Sequence, residues 1–409
     1  MINKVFSQIR CDLNTIYLDF KKKDIWFFLC LTSFFSFSLI YLNFLALVDI
    51  GNLCFIAFCL IVMFTCFVKK RFPLNWGTFG LILYVCLVFF INLVKGVFSL
   101  SPLVPPIAML FTYIFVSIFD GGERGLIVRA FYISLLILLI YSSVKYLPDY
   151  LESRHFLSIY DNYFGNLDGL TDYIAILFGL SLYFLLKKEY FQIPVSCWCL
   201  VFIGISERRT ALLLCILSFL AFTYCLIPKN RKYLFLILCP LVLLFSAVTV
   251  FFVPVFDGVK ERLLEALFNF FSYSAAYSGD ARGNIVLRGF YYCFTNFFGG
   301  YGYDQYFIVY GNEPAHDLLG DLSLNYGGFF AITTTLFFSA VALNMLFKTK
   351  DDPFLPKFMA LYYFCFIVLG TFVYDRSLCI AAGVTIGFLG TYKTKYSELN
   401  PLVRDSVSI

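Results

Sequence analysis

Long apolar runs recur along this chain, at roughly 25 to 48, 51 to 68, 77 to 95, 103 to 120, 125 to 147, 171 to 187, 190 to 206, 210 to 228, 233 to 253, 327 to 347, 357 to 374 and 377 to 392. Each can cross a hydrocarbon core of about 30 Å as a helix, which rises about 1.5 Å per residue. In lipid every backbone polar group needs a partner inside the protein, so only helices or closed barrels span a membrane. The runs are continuous rather than alternating, which predicts helices. The expectation is an all-α polytopic membrane protein with about twelve transmembrane helices, residues 1 to 409 forming a single membrane domain. A soluble domain is excluded, because 61% of the 409 residues are hydrophobic and only 14% charged. Pro105, Pro106, Pro194 and Pro240 fall in or beside spans, where neighbouring helices can satisfy the carbonyls they free.

The basic residues orient these spans. The first 24 residues are polar and basic for too long to be a cleavable signal peptide, and the apolar run after them lacks a small-residue cleavage site. Alternation then gathers Lys4, Arg10, Lys21 to Lys23, Lys69, Lys70, Arg71, Arg124, Lys187, Lys188, Lys229, Arg231, Lys232, Lys348, Lys350, Lys357, Lys393, Lys395 and Arg404 on one face. By the positive-inside rule that face is cytoplasmic, with both termini on it. Two long loops fall outside, 148 to 171 and the larger 254 to 325. With the basic residues scattered through short loops, nothing points to nucleic acid. The 14 cysteines lie mostly within apolar runs, Cys11 and Cys293 excepted, which is neither a disulfide framework nor a metal-ligand pattern.

Several outward arginines work against the charge rule. The turn after the seventh span reads Ile205-Ser-Glu207-Arg208-Arg209-Thr210, and the one after the eleventh reads Tyr374-Asp375-Arg376-Ser377. A snorkelling or salt-bridged helix end accounts for any one of them. Three in two turns, beside a long outer loop that ends in a histidine, favour a ligand.

The large loop opens with an amphipathic stretch from Asp257 to Phe268, then a small, polar one from Ser272 to Gly279. A helical pattern carrying Arg282 and Arg288 follows, and their six-residue separation puts them on different helix faces. The turn Gly299-Gly-Tyr-Gly302-Tyr-Asp304 lacks the strand-then-helix setting of a nucleotide site. Of the two histidines, His155 and His316, the second opens the helical pattern that leads into the tenth span. A neutral imidazole there can take a proton from a hydroxyl, with Asp317 or Glu313 to orient it. An interfacial or capping role is the alternative for a lone histidine in that position. Arginine's planar fork grips phosphate, so outward arginines around one histidine point to a phosphate-bearing substrate. Acidic clusters that would hold a divalent metal on a diphosphate are missing from the sequence, so neither metal nor cofactor is expected.

Three motifs carry a resemblance: ISERRTALLLCIL, ARGNIVLRGFYYCFTNFFGGYGYDQY and EPAHDLLGDLSLNYGGFFAI. In order and setting they resemble the O-antigen polymerase and O-antigen ligase superfamily of bacterial polysaccharide assembly. The first is similar to that family's Ser/Thr-Arg segment at the outer start of a helix, the second to its Arg-x10-Gly stretch, here Arg288 to Gly299. The third is similar to the His-Asn-x-x-Leu and Gly-x-x-Gly segment that ends the large periplasmic loop. Asp317 stands where the family often has Asn, and two adjacent arginines compete for one role, Arg209 matching better by register.

The resemblance implies an architecture of the GT-C kind in the bacterial inner membrane, with a periplasmic active site. It implies glycosyl transfer from an undecaprenyl-diphosphate-linked oligosaccharide, with His316, Arg209 and Arg288 catalytic and Arg208, Arg282, Arg376, Asp317 and Glu313 binding substrate. Membrane lipid and a chain-length-regulating protein are the partners it implies. The Leu-Asn-Tyr-Gly-Gly sequence and the Arg-x10-Gly spacing favour the polymerase over the ligase, which differs only in passing the glycan to lipid A core. A transporter or flippase of lipid-linked saccharide is the reading from another class, with Asn92 and Arg129 as its polar residues within spans and no internal repeat to support it.

Overall fold

A computed structural model describes residues 25–41, 48–73, 76–98, 101–119, 121–153, 167–205, 209–227, 291–303 and 318–348, with isolated positions between 233 and 264 and at 379, 383 and 384. Among these residues the fold is all-helical, without strands. The helices whose bounds are described before the large loop are α1 (Ile25–Tyr41), α2 (Val48–Lys69), α3 (Trp76–Val94), α4 (Val104–Ile118), α5 (Gly121–Ser153), α6 (Leu167–Leu186), α7 (Gln192–Ile205) and α8 (Arg209–Leu226). Two more follow its described part, α9 (Leu318–Tyr326) and α10 (Gly328–Lys348). Three segments, Ile50–Lys69, Gly77–Val94 and Glu123–Lys145, are long and apolar enough to cross a membrane, and six other helices contain shorter apolar stretches. Of the span expected at 233 to 253 only scattered positions are described, nearly all of them helical; the one at 357 to 374 lies outside the described residues, as does that at 377 to 392 apart from 379, 383 and 384.

Aromatic side chains build the first half of the bundle. Phe34 of α1 has ring contacts with Phe58 of α2 at 5.7 Å, Phe115 of α4 at 5.3 Å and Phe131 of α5 at 6.3 Å. All four are fully buried. Lipid tails are as apolar as these rings, so close packing and interhelical hydrogen bonds must join the helices. Two such bonds are Ser38 to Ser134, 2.8 Å, and Ser181 to Ser196, 2.6 Å. Helix α6 is buried continuously from Tyr173 to Phe184, making it the central member of the second half, where it packs against α5, α7 and α8.

Arg129 explains itself in this setting. An arginine within a span is expensive unless paired. Its Nη2 donates to Glu189 Oε1 at 2.6 Å, and its guanidinium lies 5.3 Å from the Phe184 ring centre. One turn further along α5, the Tyr132 hydroxyl donates to Gln192. The turn joining α6 to α7 is thereby fastened to α5.

Two contacts relate the turns at the ends of the bundle. Lys69 places its ammonium 4.5 Å from the centre of the Phe119 ring, so the 69–71 and 119–124 turns share one end of the bundle. At the opposite end of α3, Gly302 of the large loop lies against Lys95 and Val97. The helices also reach further into the expected 148 to 171 loop than the hydropathy indicated. α5 runs through Pro148 to Ser153, and α6 begins at Leu167. Pro148 removes one backbone donor near the helix end, a smaller disturbance there than in mid-helix. Pro194 sits in the first turn of α7, where its missing N–H would have had no helical partner anyway.

Candidate functional site

Two stretches of the large loop are joined to each other, and both belong to the motifs singled out in the sequence. A helical turn at 291–295 and the glycine-rich residues up to Tyr303 run alongside the end of α9 and the start of α10. Four backbone hydrogen bonds tie them. Tyr301 N donates to Leu324 O and Gly302 N to Asn325 O, both at 2.8 Å, while Gly328 N donates to Asn296 O at 3.1 Å and Phe329 N to Phe297 O at 2.8 Å.

The glycines make this approach possible. A Cβ on Gly300 would overlap the backbone of Asn325 and Tyr326, and one on Gly328 would overlap the Cys293 carbonyl. Gly327 ends α9 with φ +97 and donates to Ser323 O at 3.0 Å, a helix cap that only glycine makes without strain. Gly300 of the second motif and Gly328 of the third therefore share a local cause: two backbones pack with no side chain between them.

The joined segments are held to the helical bundle by Asn92 near the end of α3. Its Oδ1 accepts the backbone N–H of Tyr303 at 3.1 Å. Its amide nitrogen stands beside the Tyr326 hydroxyl without the geometry of a hydrogen bond. Burial raises the Tyr326 phenol above its ordinary range, so it stays protonated at neutral pH, with the Asn92 amide opposing that shift only in part. Within α9, Asp321, Ser323 and Asn325 are wholly buried, and Asn325 Nδ2 donates back to Asp321 O at 2.9 Å.

Of the residues expected to act on a substrate, Arg209 is placed by its backbone as the first residue of α8. Arg208, Arg282, Arg288, Glu313, His316, Asp317 and Arg376 lie outside the described residues, as does His155. What the described structure brings together is the chain just beyond Arg288 with the chain just beyond His316. Among the described residues no group of three His, Cys, Asp or Glu side chains could hold a metal ion. Asn92 was legible only as a polar residue inside a span. Asp321 and Asn325, four positions apart in an apolar stretch, were the sequence's signal that α9 is buried on a polar face as well.

The described fold is helical, and among the described residues three segments are long and apolar enough to cross a membrane. No family model matches the chain, and neither a curated protein nor a solved structure matches it.

Proposed function

We propose that this chain is a glycosyltransferase of the bacterial inner membrane that acts as an O-antigen polymerase on undecaprenyl-diphosphate-linked repeat units. The observation that carries the reading is the backbone pairing of 296–302 with 324–329. It joins the end of the Arg288 motif to the end of the His316 motif, so two segments nominated separately by chemistry form one unit. Glycine-rich packing of that kind has no role in a linker that merely connects two spans.

In the proposed reaction a hydroxyl oxygen of the acceptor sugar attacks the anomeric carbon of the donor, and the bond from that carbon to the diphosphate oxygen breaks. The leaving diphosphate keeps the electron pair. His316 takes the acceptor's proton, oriented by Asp317 or Glu313. Arg209 and Arg288, with Arg208, Arg282 and Arg376 as binding groups, stabilise the charge that develops on the diphosphate. A single displacement inverts the anomeric centre and calls for no covalent enzyme intermediate. The site faces the periplasm and both termini face the cytoplasm.

The two polar residues that the transporter reading drew on have contacts that need no transport role. Arg129 is committed to Glu189 and Asn92 to Tyr303, both in structural contacts. The ligase shares all the chemistry above and differs in acceptor. A gene deletion separates the two: lipopolysaccharide bearing one repeat unit is the expected outcome, and accumulation of lipid-linked polymer unattached to core would overturn the polymerase assignment.

A further inference from the structure

The loop segment 291–298 presents an aromatic surface outward. Tyr291, Phe294 and Phe298 are 63%, 70% and 86% exposed; the first two share a face of the helical turn 291–295, and Phe298 lies in the turn that follows it. Cys293 is buried against the Gly328 carbonyl, 3.9 Å away, and faces the other way. A surface segment in water carries its polar residues outward. This one carries aromatic rings outward, and a contiguous exposed apolar patch marks an interaction surface.

Its position relative to α10 identifies the occupant. Phe329, the second residue of α10, is exposed, and Leu336 and Leu343 repeat that exposure at seven-residue intervals. The three make one stripe along a helix of 21 residues, about 31 Å long, the thickness of a hydrocarbon core. Phe298 extends the stripe beyond the start of α10: its ring lies 6.1 Å from Phe329, and Phe297 lies 4.8 Å from Phe298 and 5.8 Å from Phe329. The bonds from Gly328 N to Asn296 O and from Phe329 N to Phe297 O fix the segment at the level of the first turn of α10. A bilayer that covers the α10 stripe meets these rings at the same depth. Phe98 adds a further exposed aromatic at this end of the bundle, one residue beyond Val97, which lies against Gly302.

We propose that residues 291–298 are an interfacial element whose Tyr291, Phe294 and Phe298 insert into the phospholipid leaflet that covers α10. The phenyl rings of Phe294 and Phe298 lie among the upper acyl-chain carbons. The Tyr291 hydroxyl stays at the headgroup level, as amphipathic aromatics do at membrane interfaces. The second of the loop's motifs is thus moored to the membrane rather than suspended in water, whatever reaction the protein performs.

The full-length protein, carrying the photoreactive residue benzoylphenylalanine at position 294, 298 or, as a reference, 336, is reconstituted in phospholipid nanodiscs and irradiated. Phe294 and Phe298 are 70% and 86% exposed, so the added bulk can project outward, at 298 past the flanking Phe297 and Phe329 rings. Phospholipid adducts at 294 and 298 in yields comparable to position 336 are expected by mass spectrometry. Adduct at 336 with none at 294 and 298 would overturn the proposal. So would crosslinks from 294 or 298 to another part of the chain or to a second copy of it.

Discussion

Asn92 and Tyr303 are 211 positions apart in sequence, yet the backbone N–H of Tyr303 donates to Asn92 Oδ1 at 3.1 Å. One side chain near the end of a helix in the first half therefore ties in the described part of the large loop, beside the stacking of Tyr84 on Phe330, and the loop's two motifs are held together by their own backbones. Asn92→Leu removes the acceptor from a part-buried amide, which costs toward the low end of the about 1–3 kcal/mol of a fully buried unsatisfied donor. Faster hydrogen exchange in the peptide containing Tyr303 is expected, with exchange at 327–329 unchanged. Asn92→Asp keeps an acceptor and should keep the protection. Unaltered exchange in Asn92→Leu would show that the joint is held elsewhere.

Gly328→Val should disrupt the loop more than Gly299→Ala. A Cβ at Gly328 overlaps the Cys293 carbonyl, whereas one at Gly299 meets nothing within 4 Å. Only the first has to push two paired backbones apart. Thermal unfolding in detergent tests this: a lowered midpoint is expected for Gly328→Val and a near-native one for Gly299→Ala.

Arg129 and Glu189 give a third prediction. The Glu189 side chain is 8% exposed and the Arg129 side chain 36%, so removing the acid strands a half-buried guanidinium inside a span. Breaking a fully buried pair costs about 3–5 kcal/mol, and water access to the arginine brings the expected loss for Glu189→Ala below that, to about 1–3 kcal/mol. The double variant Arg129→Leu with Glu189→Leu leaves no stranded charge and should recover part of the loss. Equal stability of the single variant and the wild type would show that the pair does not hold the α6–α7 turn to α5.

His316→Ala and Arg209→Ala should both express and insert normally and abolish polymer in cells. Membrane-fraction immunoblots and lipopolysaccharide gels check the two halves of this prediction. Long chains persisting in either variant would remove that residue from the reaction.

The helical framework was legible because hydropathy reports the solvent a segment lives in, and lipid leaves the backbone few choices. The spans expected at 51 to 68 and 77 to 95 correspond to α2 and α3 within three residues. Helix ends were less legible, because polar residues such as Asp168 in the first turn of α6 lower hydropathy without interrupting the helix. The pairing of Gly300 with Asn325 had a trace in the sequence, the two glycine doublets, but no local pattern says that two doublets meet. The tie from Asn92 is less visible still, since a single asparagine in a span reads equally as a transport residue. The aromatic face at 291–298 was hidden for another reason: in a chain with 53 phenylalanines and 29 tyrosines, Tyr291, Phe294 and Phe298 are no signal until their exposure is known.

The central claim is glycosyl transfer by this chain from a lipid-linked diphosphate donor without metal or nucleotide. The direct measurement uses purified protein in phospholipid nanodiscs with a synthetic undecaprenyl-diphosphate repeat unit and a chelator, scored by gel for products longer than the substrate. A ladder from the wild-type protein, lost in His316→Ala, is the predicted result. Unchanged substrate with the wild-type protein, or an undiminished ladder with His316→Ala, would contradict the account.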